Sequence, residues 1–450
     1  MHQAVECRQV GTLAAAIGAL GAAQRQAMSG TLWDHLQKVE MPAALEHALI
    51  TMTGVRLDRD RCKRLRTAVP VMVTSIKERL AKDGLTEPEK HSAVVNWLRK
   101  IGILDAFNRN KDGAYEIDDD TLKEQEVGRP LIRALRQLRK IEAFADKQWL
   151  KGMMTSIDGR VHPDHLPLQA PTTRSSTCHP ELASLPKKIH EMVIPEPGNG
   201  IIELDYKGVE VLTAAIRFGD KQLFEAYATG DVISYLARVI FPERLQGLSL
   251  EEIAKHHDEL RGQSKTTVYG VLYGRKAHSL KRKLKVSERT AQQLIDRLMA
   301  FCPAVEAGMK AMVEQVRRDG RIPIAFDLVR HLTKEERGMG WKVETLGKNT
   351  PIQGLAAVVF RWAMVLVARA IEPLGGQIIL PVHDAFVLEG PLGNLPTISA
   401  AAKQAMIDAF EIISSTALPI VEVDGVNPSA WCKKGKVGSF EKYLEDPTAE

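Results

Sequence analysis

The chain has 450 residues, enough for two to four domains at about 100–200 residues each. Apolar residues at 44% and charged residues at 26% exclude a disordered or collagen-like chain. Lys and Arg total 61 against 56 for Asp and Glu, and this mild excess of +5 permits a nucleic-acid partner without arguing for one, since only local clustering does that.

The five cysteines, Cys7, Cys62, Cys178, Cys302 and Cys432, are scattered and form no Cys-x-x-Cys pair. That usage speaks against zinc and a disulfide framework and for a cytoplasmic chain. Ala14–Ala23 is short and broken by glycine, a poor signal peptide. Gly354–Ile371 is the most apolar run, but Arg361 and Arg369 interrupt it, so it reads as a buried helix and no membrane is expected.

In chain order, Leu13–Arg25 carries a weak helical pattern. Val73, Ile76 and Leu80, then Val94, Leu98 and Ile101, place apolar residues three and four apart and predict helices between Glu40 and Trp149. Lys111-Asp112-Gly113 reads as a turn. Asp118-Asp119-Asp120 suggests either a metal site or, because Thr121-Leu122-Lys123 follows, a helix N-terminus, which favours negative charge and is the preferred reading. Arg129–Trp149 predicts a basic helix with Arg133, Arg136, Arg139, Lys140 and Lys147, either a solvated face or one that tracks phosphates. Seven prolines between 160 and 200 exclude a long helix there. Gly200–Asp205 predicts a buried strand ending in a carboxylate. Glu243–Asp319 is helical. Gly375-Gly376 breaks a helix, Gln377–Val382 and Ala385–Leu388 read as strands around a His383-Asp384 turn, and Pro419–Val423 as a last strand.

Asp205 and Asp384 are carboxylates at the ends of apolar strands. On neighbouring strands they can share two Mg²⁺ about 3.5–4 Å apart, which activate a hydroxyl and neutralise a leaving pyrophosphate. Singly, each reads as a turn aspartate, and spacing alone does not bring them together. Arg261, Lys265, Tyr269 and Tyr273 recur every four residues, so a helix presents all four along one face. Two cations followed by two aromatics suit a triphosphate and a stacked base. Arg275, Lys276, Lys281, Arg282, Lys283, Lys285 and Arg289 follow against one acid, Glu288, a local basic patch that reads as a nucleotide or nucleic-acid site or as a plain solvated helix.

The segment Arg261–Gly274 resembles the fingers-helix motif of family A DNA polymerases. In the same order, Thr53–Asp58 resembles the entry to the polymerase module, and Thr173-Arg174-Ser175-Ser176 the template-primer loop. Leu204-Asp205-Tyr206-Lys207-Gly208-Val209-Glu210 resembles the first palm motif, Asn349-Thr350-Pro351-Ile352-Gln353-Gly354 the Asn-x-Pro-[Val/Ile]-Gln-Gly segment, and Val382-His383-Asp384 the second palm motif. The resemblance spans roughly 40–435.

It implies an α+β right-hand fold with an antiparallel palm sheet and helical fingers and thumb. The divisions are an N-terminal extension (1–38), the start of the palm (39–65), the thumb (66–158), palm (159–240), fingers (241–340) and palm again (341–450). It implies that Asp205 and Asp384 hold two Mg²⁺, and that Arg261 and Lys265 grip a dNTP, Lys265 also protonating the leaving pyrophosphate. It implies further that Tyr269 stacks on the nucleotide, Tyr273 sits at the templating base, Glu210 blocks a ribose 2′-OH, and Tyr206 lies on the nucleotide side. A Tyr at 269 is associated in the family with weak discrimination against dideoxynucleotides. The resemblance also implies that Arg174, Gln353, His383 and Asn349 contact primer-template DNA.

Ala385, Thr345, Ile233 and Lys207-Gly208 depart from the family pattern, as does Glu181–Pro186 in the loop, but no metal ligand is lost. With only residues 1–38 ahead of the module, the chain is expected to lack a 3′–5′ exonuclease and to work with a separate nuclease or processivity factor. The resemblance implies a bacterial cell or a phage-infected host, where replication by a phage or mobile element, gap repair and lesion bypass all fit. Two other readings are a single-subunit RNA polymerase, which Glu210 opposes, and a non-catalytic nucleic-acid-binding protein on a polymerase scaffold.

Overall fold

The computed structural model describes residues 22–145 other than 108 and 110–112, residues 158–416 and 419–432, and residues 438 and 440–442. Cys7, Lys147, Trp149, the Lys111-Asp112 turn and the expected helix over Leu13–Arg25 as far as residue 21 lie outside the described residues. The other four cysteines are free thiols.

Helix α1 (Met41–Thr53) is followed by α2 (Arg59–Lys82), which opens where the Asp58 carboxylate accepts from the Asp60 and Arg61 amides, both at 3.0 Å. Helices α3 (His91–Lys100), α4 (Asp119–Gln125) and α5 (Pro130–Ala145) complete the thumb. Leu80, Val94, Trp97, Leu98, Leu122 and Leu135 give it a core of its own. The acidic triplet is a helix start, as expected: Asp118 caps α4 in a capping box with Thr121. The basic helix does not offer all its cations to solvent or phosphate. Arg136 is buried between Asp119 (2.8 Å) and Glu126 (3.0 Å), and Arg139 donates to the Ile117 carbonyl at 2.5 Å. Both brace the thumb.

After the proline-rich stretch comes β1 (Asn199–Tyr206), then α6 (Val209–Phe218) and α7 (Val232–Ile240), followed by the fingers helices α8 (Asp258–Leu272), α9 (Ala277–Leu284), α10 (Glu288–Phe301) and α11 (Pro303–Asp319). Helix α12 (Gly340–Ile371) runs from the fingers into the palm and leads to β2 (Gln377–Val382), β3 (Ala385–Pro391), α13 (Leu395–Asp408) and β4 (Val421–Asn427). By length and composition α12 passes as a membrane span, but most of it is buried inside the protein. It packs closely at Gly354, where a Cβ would lie 2.8 Å from Ile324.

The palm sheet has the antiparallel order β4-β1-β3-β2. Strand alternation splits its residues between two cores. Ile202, Leu204, Tyr206, Phe386 and Leu388 join the large core shared with the fingers, while Ile201, Ile379, Leu380 and Val387 join a second core with Leu65 and Trp431. Strand β4 begins two residues later than expected, because the Ile420 amide donates to the Tyr227 hydroxyl (2.9 Å) rather than to the ladder, and it continues to Asn427 through an irregularity after Asp424.

Candidate active site

Strand β1 delivers Asp205 opposite Ala385, the first residue of β3, and the Tyr206 amide donates to the Asp384 carbonyl at 3.2 Å. Asp384 stands in the two-residue turn between β2 and β3, which closes because His383 adopts φ +55°. The sheet register thus makes the two aspartates neighbours. Ala385 is buried between Asp205 and Val382 and adds no ligand. Burial raises the Asp384 carboxyl above the usual carboxylate range, with Arg174 and His383 opposing and Glu210 reinforcing. A carboxylate so placed gains most from added positive charge, and two hard oxygen donors side by side at an open cleft fit Mg²⁺.

Helix α6 starts at Gly208, whose φ of +63° is left-handed and suits glycine, so the chain turns sharply from β1 and sets Glu210 in the first helical turn. Glu210 is 3% exposed and is held by three donors. Arg174 Nη2 lies 2.6 Å from its Oε1, Gln353 Nε2 3.1 Å from the same oxygen, and the Tyr273 hydroxyl donates to Oε2. Burial, reinforced by Glu210, pushes the Tyr273 phenol up, so it stays a proton donor. Arg174 Nη2 also reaches Asp384 Oδ1 at 3.5 Å, which couples the buried glutamate to the Asp384 carboxylate.

Arg261, Lys265 and Tyr269 on α8, with Tyr273 at its C-terminal cap, line one wall of a cleft of about 1940 Å³ that also holds Asp205, Asp384 and Glu210. The four-residue stripe is therefore a single wall, as its spacing predicts. Lys265 is exposed in it. Arg261 is engaged: Nη2 meets Asp231 Oδ1 at 3.1 Å and Nε donates to Ser234 Oγ at 3.1 Å. Against the raising effect of burial, hydrogen bonds from Ser234 and Arg261 hold the Asp231 carboxyl below its ordinary value. Burial raises the Tyr269 phenol, with Glu210, Asp384 and Asp205 adding to the effect. Ile233 is 7% exposed on the same wall and brings no polar group.

Other expected site residues sit differently. The Tyr206 side chain is not available to a nucleotide. Alternation along β1 turns it into the core, where its hydroxyl donates to the Met406 carbonyl at 2.6 Å, leaving main-chain atoms for the cleft. Asn349 does not line the cleft, and its Oδ1 is buried without a partner. Gln353 stands behind Glu210, while His383 is exposed on the cleft wall. Thr345 packs against Gly274, whose Cβ position is 3.2 Å from the Thr345 Cα. The basic patch meets acids from elsewhere: Arg282 pairs with Glu116 of the thumb, Lys285 with Glu124 (3.3 Å) and Lys276 with Glu344 (2.7 Å). Asp231 escaped the sequence reading. Its signal is an N-cap acid ahead of the apolar run Val232–Ile240, which marks a helix start and nothing more.

Residues 90–424 match DNA polymerase family A. The chain is 28% identical over 403 residues to the DNA polymerase I of Chloroflexus aurantiacus, covering 84% of this chain and 41% of that protein. It is 26% identical over 418 residues to the thermostable DNA polymerase I of Thermus aquaticus, covering 87% of this chain and 49% of that one. It thus spans less than half the length of these relatives. Among solved structures, the POL domain of Pol1 from M. smegmatis, in complex with DNA primer-template and dNTP, has the same fold, with a TM-score of 0.74 at 24% identity over 87% of this chain and 70% of that one. The chain belongs to DNA polymerase family A.

Proposed function

We propose that this chain is a template-directed DNA polymerase that adds dNTPs to a primer 3′-OH. The observation that carries the reading is the adjacency of Asp205 and Asp384 at the floor of a cleft walled by Arg261, Lys265 and Tyr269. Asp205 and Asp384 would hold Mg²⁺, which supplies charge for the attacking oxygen and the leaving pyrophosphate. A new bond forms between the primer 3′-oxygen and the α-phosphorus, and the α–β bridging bond breaks.

Arg261 exchanges Asp231 for the triphosphate, and Lys265 delivers a proton to the departing pyrophosphate. Tyr269 stacks on the incoming base, and Tyr273 takes the templating side. Glu210, fixed by three donors, fills the space a 2′-OH needs, which favours deoxyribose. Arg174 and His383 face the primer-template, with Gln353 behind them. The rate comes from positioning and charge, not from a covalent intermediate.

The test is single-nucleotide addition to four primer-templates that differ only at the templating base, with Mg²⁺ and each dNTP in turn. Addition of the complementary dNTP in each case is expected. Addition independent of the template, or none, contradicts the proposal.

A further inference from the structure

The loop that carries Arg174 is fixed from behind by buried groups. Thr173, just before it, has φ +61°, a left-handed conformation that a β-branched residue rarely adopts. Its amide donates to the Ala170 carbonyl (2.8 Å), and the Ala170 amide to the Arg174 carbonyl (3.0 Å), closing a tight turn. The Thr173 carbonyl accepts from Arg361 Nη1 at 2.5 Å. Arg361 lies on α12, is 1% exposed, and uses Nη2 to reach Glu40 Oε1 at 2.7 Å. Glu40 is itself buried and contacts His35 Nε2 at 2.8 Å. On the other side, Ser175 Oγ meets His47 Nε2 at 2.8 Å, and burial lowers that imidazole to about 3, so it stays neutral. Residues 173 and 175 are therefore anchored in the palm, and Arg174 alone turns to the cleft, where it meets Glu210 and Asp384.

We infer that Arg361 is a positioning residue: by holding the Thr173 carbonyl it keeps a strained turn in place and thereby sets Arg174 on Glu210, acting on sugar selection without touching substrate. A purely structural ion pair with Glu40 needs one end of the guanidinium. The other end reaches the main chain of the turn, where backbone strain persists only if its surroundings over-determine it. The inference rests on the polymerase reading for its effect on sugar choice, but not for its effect on the loop.

The experiment uses the full chain and two variants. Glu40→Gln with Arg361→Met removes both charges together, so that neither is left buried and unpaired. Arg361→Lys keeps one charge but cannot span both partners. Amide hydrogen exchange over residues 170–175 is expected to quicken about tenfold in the double variant and less in Arg361→Lys, since those amides report local opening. In the same proteins the ratio of kcat/KM for dNTP over rNTP is expected to fall about tenfold in the double variant, with Arg361→Lys between it and the parent. Unchanged exchange in a folded double variant overturns the inference. If that protein does not fold, unchanged exchange and unchanged selectivity in Arg361→Lys overturn it instead. Quickened exchange with unchanged selectivity overturns the link to Glu210. A parent protein that extends no primer defeats the polymerase reading, and the exchange result then decides the loop inference alone.

Discussion

The Tyr273 hydroxyl, at the end of the fingers helix α8, donates to the Glu210 carboxylate, at the start of the palm helix α6. One hydrogen bond thus ties the wall proposed to receive a nucleotide to the residue proposed to measure its sugar. Arg174 and Gln353 complete the hold, so Glu210 is fixed from the loop, the fingers and α12 together. Replacing Glu210 with Ala opens the sugar pocket. The preference for dNTP over rNTP, measured as the ratio of kcat/KM, is expected to fall by about 10- to 200-fold, the range that small shape differences in a pocket yield. Tyr273→Phe, which leaves two donors, is expected to lower it less. An unchanged ratio in Glu210→Ala contradicts the role given to this residue.

Arg261 faces the cleft but is bound to Asp231 before any nucleotide arrives. Both side chains are partly exposed, so the pair is worth at most about 1 kcal/mol. Asp231→Asn is expected to lower the KM for dNTP about two- to fivefold, since a triphosphate no longer competes with a carboxylate. A higher KM in that variant shows that Asp231 aims Arg261 instead of restraining it.

Thumb and fingers meet through Glu116–Arg282 and Glu124–Lys285, and all four residues line the central cleft. These cations are the ones the sequence offers to a phosphate backbone. Glu116→Gln combined with Glu124→Gln is expected to tighten primer-template binding about three- to tenfold at low salt, with the gain fading as ionic strength rises. Fluorescence anisotropy at two salt concentrations measures this. Equal or weaker binding at low salt contradicts it.

Much of the site was legible because its chemistry is periodic or sits at strand ends. The stripe Arg261, Lys265, Tyr269 and Tyr273 needs only the pitch of a helix to become one wall. Asp205 and Asp384 each mark the end of an apolar strand, but their adjacency depends on the strand order, which no local pattern encodes. The direction of the Tyr206 side chain is not legible locally, because alternation along β1 decides it and which face meets the core depends on α13 and its carbonyl at Met406. Arg136 and Arg139 read as surface cations because their acceptors lie in a different part of the thumb. Asp231 and the Glu40–Arg361 pair were invisible for the same reason: a polar residue's partner across the fold leaves no trace in its own neighbourhood of sequence.

The most direct measurement is primer extension with Mg²⁺ and dNTPs by the parent chain and by Asp384→Ala, with primer-template affinity measured in parallel. The expected result is templated extension that disappears in the variant, and in the parent on chelation of Mg²⁺, while DNA affinity is kept. Extension that survives in Asp384→Ala would contradict the assignment of Asp205 and Asp384 as the metal-holding pair on which the account rests.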